Sequence, residues 1–222
     1  MILQKAELPF VSSKKKLNFL WNRLLNQKDS FIKIILGSSS IRRSNLLRNS
    51  GIKFDEIIPP KIKENNLLNE LPKSYAKRMA FEKARKIFET NKGSYILSAD
   101  TVVSLEENIL PKAKNVKIAT NCLNMLSGKT HTVFGGICLY SPNGLYKIKC
   151  STSKVKFCKL NRIEKQHYLK TNEWKDKAGG YAIQGIASSF VKKISGSYTN
   201  IVGIDTFIVR NLFKELGLMN ES

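Results

Sequence analysis

At 222 residues, 42% of them apolar, the chain is long enough for one well-buried core. Its 38 Lys and Arg against 17 Asp and Glu give a formal charge of +21, which favours a polyanionic partner but, spread over the whole chain, names none. No apolar run reaches the length of a membrane span and no signal-peptide core opens the chain, so a cytoplasmic protein without a membrane partner is expected.

Residues 1–30 carry Lys14-Lys15-Lys16 ahead of Leu17, Phe19, Leu20 and Trp21. They read as a basic N-terminal extension, an amphipathic helix or an unfolded arm, outside a single domain expected over 31–219. The β-branched run Ile32–Leu36 predicts a buried strand, broken by Gly37, Ser38, Ser39 and Ser40. Ser40 is a candidate N-cap for a helix carrying Leu46 and Leu47. Strand, small-residue loop and helix start together present free backbone N–H groups to an anion. Arg42 and Arg43 stand in the first turn, where a cation opposes the helix dipole. Only 8 of the 38 basic residues are arginine and three lie between positions 42 and 48, a cluster that suits forked phosphate recognition.

A short strand is expected over Lys53–Ile58, ended by Pro59-Pro60, then a loop with Glu64, Asn65 and Asn66. From Lys73 to Phe88 the spacing predicts a helix with Ala76, Met79, Ala80, Ala84 and Ile87 on one face. Lys83 falls on that face, either extending out to solvent or reaching into a cleft. Tyr95–Ala99 reads as a buried strand with Asp100-Thr101 at its carboxyl end, where open α/β sheets bind ligands. Further expectations are a turn at Pro111-Lys112, a helix over Asn115–Leu126, and strands near Val133–Tyr140 and Leu145–Phe157. The last two join through the hairpin signal Ser141-Pro142-Asn143-Gly144. A capping-box start at Asn161 and Glu164 follows, then the glycine-dense Asp176–Gly185, a strand over Ser189–Ile194 and a helix over Thr206–Leu216. This order predicts an α/β fold, a mixed, twisted sheet flanked by helices.

Several familiar chemistries fail on spacing. Gly128-Lys129-Thr130 has Leu123 where a P-loop needs glycine. His131 and His167 lack a zinc-ligand pattern, no G-x-S-x-G occurs, and Cys122, Cys138, Cys150 and Cys158 have no C-x-x-C spacing and read as reduced thiols. What remains is a set of phosphate-handling parts: the Ser38–Arg43 loop, Lys83, Asp100, Lys112 and the segment ending in Gln184. Glu64 and Asp100 could share a Mg²⁺ ion with substrate phosphates.

These residues resemble the Maf family of nucleoside triphosphate pyrophosphatases over about Ile32–Leu218. The matching stretches are Ser38-Ser39-Ser40-Ile41-Arg42-Arg43, Glu82-Lys83-Ala84, Ala99-Asp100-Thr101-Val102-Val103, Leu110-Pro111-Lys112, Leu126 to Val133, Asp176 to Gly185 and Gly196 to Gly203, in family order. The chain departs at Ile41, Lys63, Ala113 and Ile204-Asp205, where the family has proline, an acidic residue, proline and a Leu-Pro step, and at Asn45, where it has glutamate.

The resemblance implies two lobes around a deep nucleotide cleft, a divalent metal cofactor (Mg²⁺ or Mn²⁺) and hydrolysis of a nucleoside triphosphate to the monophosphate and pyrophosphate. It implies Asp100 as the catalytic carboxylate, aided by Lys83 and Lys112, with Ser38, Arg42, Arg43, Thr101 and Gln184 binding substrate and Glu64 with Asp100 holding the metal. Arg42, Thr101 and Gln184 agree with the subgroup acting on dTTP and UTP, and a glutamine amide suits a pyrimidine edge. The alternative is a basic nucleic-acid-binding or regulatory protein with weakened catalysis, which has the charge behind it but no recognition module. Nucleic acid is expected to bind only weakly, and a homodimer is left open.

Overall fold

Ile34-Ile35-Leu36-Gly37 is buried along its whole length, as a strand covered on both faces requires, and forms β1 (Ile34–Gly37). The computed structural model describes residues 33–219, so the expected extension over 1–30 lies outside the described residues. After β1 come α1 (Ile41–Asn49), β2 (Glu56–Ile57), α2 (Pro72–Phe88), β3 (Tyr95–Leu105), β4 (Asn108–Leu110), α3 (Val116–Leu126), β5 (Thr130–Tyr140) and β6 (Tyr146–Phe157). Next are α4 (Arg162–Lys170), a 3₁₀ turn at Ile186–Phe190, β7 (Val191–Ser195), α5 (Tyr198–Val202) and α6 (Thr206–Lys214). The strands form one seven-stranded mixed sheet in the order β2-β1-β3-β5-β6-β7, with β4 also on β3.

The spine of the sheet is β3. On one side it pairs antiparallel with β5 from Ile96 to Ser104. On the other, β1 runs parallel to it only over Tyr95–Ser98, and β4 pairs antiparallel only over Val103–Leu105. Residues Ala99–Val102 lie between these two partners, and Asp100 and Thr101 occupy that gap. The expected strand end at Ala99 is therefore corrected. Parallel pairing stops at Ser98, but the strand continues six residues past Ala99 because β5 supports it throughout.

The two-residue period sends alternate β3 side chains to opposite faces. Ile96 and Val102 pack against α2 with Ala80, Ala84 and Ile87, and with Tyr75, Ala76 and Met79, respectively, while Ser98 donates a 2.5 Å hydrogen bond to the Ala80 carbonyl. Leu97 and Ala99 face the opposite layer, with Leu47 of α1 and Val209, Leu212 and Phe213 of α6. A second core, built from Leu123 and Leu126 of α3, Tyr168, Trp174, Val155 and Phe157, forms the other lobe.

Two glycines on β5 set how close the layers come. Gly136 sits opposite Asp100, and a Cβ there would lie 1.9 Å from the Ala76 carbonyl oxygen of α2. At Gly135, opposite Thr101, a Cβ would lie 1.9 Å from Asn200 Oδ1. The backbone of α2 therefore rests directly on the sheet beside Asp100.

Other expectations shift in detail. β2 covers only Glu56–Ile57, the expected strand over Ser189–Ile194 is split into a 3₁₀ turn and β7, and α6 ends at Lys214. Ser40 stands at the N-cap of α1 with extended backbone but makes no side-chain cap bond. Instead the Ser40 N–H donates to Ser38 Oγ at 3.1 Å. The capping box at Asn161 and Glu164 is present in full. Asp205 replaces no structural element: its carboxylate caps α6 by accepting from Phe207 and Ile208 N–H, and Ser151 donates to its other oxygen.

Candidate active site

Asp100 and Lys83 face each other across the interface between β3 and α2. The buried face of α2 is otherwise Ala76, Met79, Ala80, Ala84 and Ile87, so its small residues let the lysine stem lie flat against the sheet. Lys83 and Asp100 are 5% and 3% exposed, and Lys83 Nζ lies 2.5 Å from Asp100 Oδ1. The same ammonium lies 2.6 Å from Glu64 Oε1, and the other Glu64 oxygen pairs with Lys112 Nζ. Asp100, Lys83, Glu64 and Lys112 thus form a chain of alternating charge. Burial would raise the Glu64 carboxyl, but Lys83 and Lys112 together outweigh it and hold it at about 2.

Glu64 reaches this position from an irregular stretch between β2 and α2 that is pinned from α2. Tyr75 donates through its hydroxyl to the Glu64 carbonyl at 3.3 Å, and Arg78 donates to the Asn65 carbonyl at 2.9 Å. Arg78 also pairs with Glu70 at 2.5 Å and with Glu82 at 3.0 Å. Sequence reasoning missed this clamp. Only the four-residue spacing of Arg78 and Glu82 hinted at it.

The opposite wall comes from the N-terminus of α1. Arg43 donates through Nε to the Gly203 carbonyl at 2.8 Å, through Nη1 to Ser38 Oγ at 3.3 Å and through Nη2 to Thr101 Oγ1 at 3.1 Å. Thr101 in turn donates to the Gly203 carbonyl at 3.0 Å. Burial lowers the Arg43 pKa, with Asp100 and Glu64 opposing that shift, and burial followed by the Arg43 charge lowers that of Arg42. Ser38 is buried and joined to Ser40 and Arg43, so it shapes the loop, while Ser39 and Ser40 line the cleft.

The third wall is the glycine-dense segment. Residues 111–113 are laced to residues 176–179 by Ala113 N–H to the Lys177 carbonyl, Asp176 N–H to the Ala113 carbonyl and Gly179 N–H to the Pro111 carbonyl. Gly179 and Gly180 both have φ of +67°, a turn that side-chain-bearing residues rarely make, and Gly179 lies so near Val103 that a Cβ would meet it at 2.8 Å. The turn brings Lys177, Tyr181 and Gln184 to the cleft. Burial and then the Arg42 charge lower the Lys177 pKa. Behind Tyr181, buried His131 lies 2.8 Å from its hydroxyl, and burial lowers the imidazole to about 4. Lys177 was not singled out from the sequence and His131 was weighed there only as a zinc ligand, although both lie inside the matching motifs.

The resulting cleft has a volume of about 620 Å³ and is bordered by Arg42, Arg43, Lys83, Lys112, Asp100 and Gln184, among others. Of the residues expected at the site, only the Ser38 side chain is withheld from its lining. Among the described residues no group of three or more His, Cys, Asp or Glu could enclose a metal ion. Asp100 and Glu64 nevertheless converge on one cation, the Lys83 ammonium, a donor pair that fits Mg²⁺ when substrate phosphates complete its shell. No helix among the described residues is long and apolar enough to cross a membrane.

The family model described as Maf-like protein matches residues 33–216. A dTTP/UTP pyrophosphatase of Mesorhizobium japonicum is 47% identical over 181 residues, covering 79% of this chain and 87% of the relative. One from Brucella abortus is 46% identical over 178 residues, covering 78% and 86%. Among solved structures, a HAM1 protein from Coxiella burnetii aligns with a TM-score of 0.42 at 16% identity, over 60% of this chain and 76% of that one. With the family model spanning nearly all of the described residues, and relatives this similar over most of their length, the chain belongs to the Maf family.

Proposed function

We infer that the protein is a nucleoside triphosphate pyrophosphatase that cleaves the bond between the α- and β-phosphates, with dTTP and UTP as its substrates. The observation that carries this reading is the Asp100–Lys83–Glu64–Lys112 charge chain in a cation-lined cleft of ligand-binding size. The names of its relatives, dTTP/UTP pyrophosphatases, support the activity and the substrate together.

In the reaction the hydroxyl of water bonds to one phosphorus, the bridging oxygen leaves with the other, and the water proton passes to a base. Asp100 is suited to be that base: Lys83 holds it through Oδ1, and the residue borders the cleft. Arg42, Arg43, Lys112 and Lys177 border the cleft and offset the charge that the substrate phosphates bring into it. Arg43 spends three of its five N–H donors on Gly203, Ser38 and Thr101, so it arrives rigid with two left for phosphate. Asp100 and Glu64 are the residues that would hold a divalent cation, which when bound adds further neutralisation and polarises phosphate and water oxygens.

Substrate choice falls to Gln184, whose exposed amide offers a donor and an acceptor to a pyrimidine edge. Thr101 acts indirectly, because its hydroxyl is committed to Gly203 and Arg43. All four cysteines are unpaired, which suits the reducing cytoplasm where nucleoside triphosphates are found.

The test is a panel of nucleoside triphosphates with Mg²⁺, with pyrophosphate and orthophosphate measured separately. Pyrophosphate release fastest from dTTP and UTP, and abolished in Asp100→Asn, is expected. Orthophosphate as the sole product, or an Asp100→Asn variant of normal rate, would overturn the reading.

A further inference from the structure

The cleft has a second opening. A rear cavity of about 530 Å³ meets the front one, and Glu64, Asp100, Thr101, Lys112 and Ala178 border both. The Glu64–Lys112 ion pair therefore stands between the two spaces, with Asp100 at their junction.

Their other borders differ. Only the front is bordered by Gln184, Tyr181, Ile183 and the α1 arginines, a set suited to a nucleoside and its first phosphate. Only the rear is bordered by Lys63 and Lys114, which with Lys112 place three lysines around one space, together with Asn65 and Asn66. Amides and ammoniums together supply N–H donors on several sides, as a compact polyanion requires.

Resting on the pyrophosphatase reading, we propose that this rear cavity is the pyrophosphate site: the leaving group is received by Lys63, Lys112 and Lys114 and departs through the rear opening while the nucleoside monophosphate still fills the front. Bond cleavage at Asp100 then leaves each product in its own space. Lys112 carries the charge across the junction, because its ammonium borders both cavities and is paired with the partly exposed Glu64 carboxylate until phosphate competes for it.

Direct binding to the full chain tests this without turnover. Calorimetry with inorganic pyrophosphate plus Mg²⁺, and separately with UMP, compares the wild type with a Lys63→Gln/Lys114→Gln double variant. A Lys192→Gln/Lys193→Gln variant, altered on β7, matches the charge loss elsewhere, and near-physiological salt limits screening to about 8 Å. The expected result is pyrophosphate binding weakened about ten-fold or more in the first variant only, with UMP binding within about two-fold of wild type. Unchanged pyrophosphate binding, equal weakening for both ligands, or equal weakening in the β7 variant would overturn the site. Failure of the pyrophosphatase reading shows separately, as absence of pyrophosphate from wild-type turnover.

Discussion

Asp100 on β3 and Gly136 on β5 are directly opposite one another, so β5 puts no side chain next to Asp100 and the α2 backbone fills that space instead. Gly136→Ala would place a Cβ 1.9 Å from the Ala76 carbonyl, and α2, which carries Lys83, would have to move away. Overpacking of this kind costs about 1–3 kcal/mol. Urea unfolding should show that loss, and pyrophosphate release should slow as Lys83 is drawn from Asp100. An alanine variant as stable as wild type would mean that the two layers are not held in this contact.

Lys83 is the shared counter-ion of two carboxylates. Lys83→Met leaves Asp100 buried without its partner, a change that costs about 3–5 kcal/mol when one member of a buried pair is removed. Adding Asp100→Asn should recover much of the stability but none of the activity. If the double variant is no more stable than Lys83→Met, the Asp100 charge is not the source of the loss.

Acid should lower the protein's stability over two separable pH ranges. Buried His131 titrates at about 4 against 6.5 for a free imidazole, so the unfolded chain takes up a proton that the folded one refuses. Stability therefore falls as pH drops from 6.5 to 4, by about 3 kcal/mol in total. Glu64 is held at about 2 against 4.5, so the stability it contributes is present above 4.5 and is lost as pH falls towards 2. Its partial exposure limits that contribution to about 1 kcal/mol. Denaturant midpoints across pH should lose the upper slope in His131→Gln and the lower one in Glu64→Gln.

Gln184→Ala removes an amide at the border of the cleft, the one proposed to meet the nucleobase. One or two lost hydrogen bonds correspond to about a ten-fold fall in kcat/KM for UTP. Activity on purine triphosphates should change less, narrowing the preference. Steady-state rates on UTP, dTTP, ATP and GTP measure it, and a uniform fall across all four would assign Gln184 to general binding.

Ile41 is the first residue of α1 and is 75% exposed, while Ser40 before it has φ −84° and ψ 110°. That is the conformation a residue preceding proline adopts, and the first helical position tolerates proline best. Ile41→Pro should raise stability by about 0.4–1 kcal/mol and lower KM by stiffening the loop. Thermal melting and UTP titration check the two effects, and an unchanged KM would show that the loop is already rigid.

The site was legible where its parts lie in short contiguous patterns. Arg42 and Arg43 at a helix start, Lys83 on an apolar helix face and Asp100 after a hydrophobic run each announce themselves, and the structure brings them to one cleft. What was not legible depends on contacts distant in sequence. The Arg78 clamp needs Glu70 and the Asn65 carbonyl, and His131 meets Tyr181 fifty residues later. Asp100 read as a strand terminus because a charged residue usually ends a buried strand. Its counter-ion comes from another element, so the sequence around it has no way to show that the charge is tolerated there. The resemblance implies a substrate-binding role for Ser38, and nothing nearby in the chain reveals that Arg43 folds back onto its hydroxyl.

The gap in β3 between β1 and β4 leaves Asp100 anchored from one side of the strand, by β5. A carboxylate borne by a surface loop would shift with every insertion around it, whereas Asp100 takes its coordinates from nine paired positions along β5. Ile41, Lys63 and Gln184 lie outside that ladder, so a substitution at any of them leaves the nine pairings intact, and with them the position of Asp100.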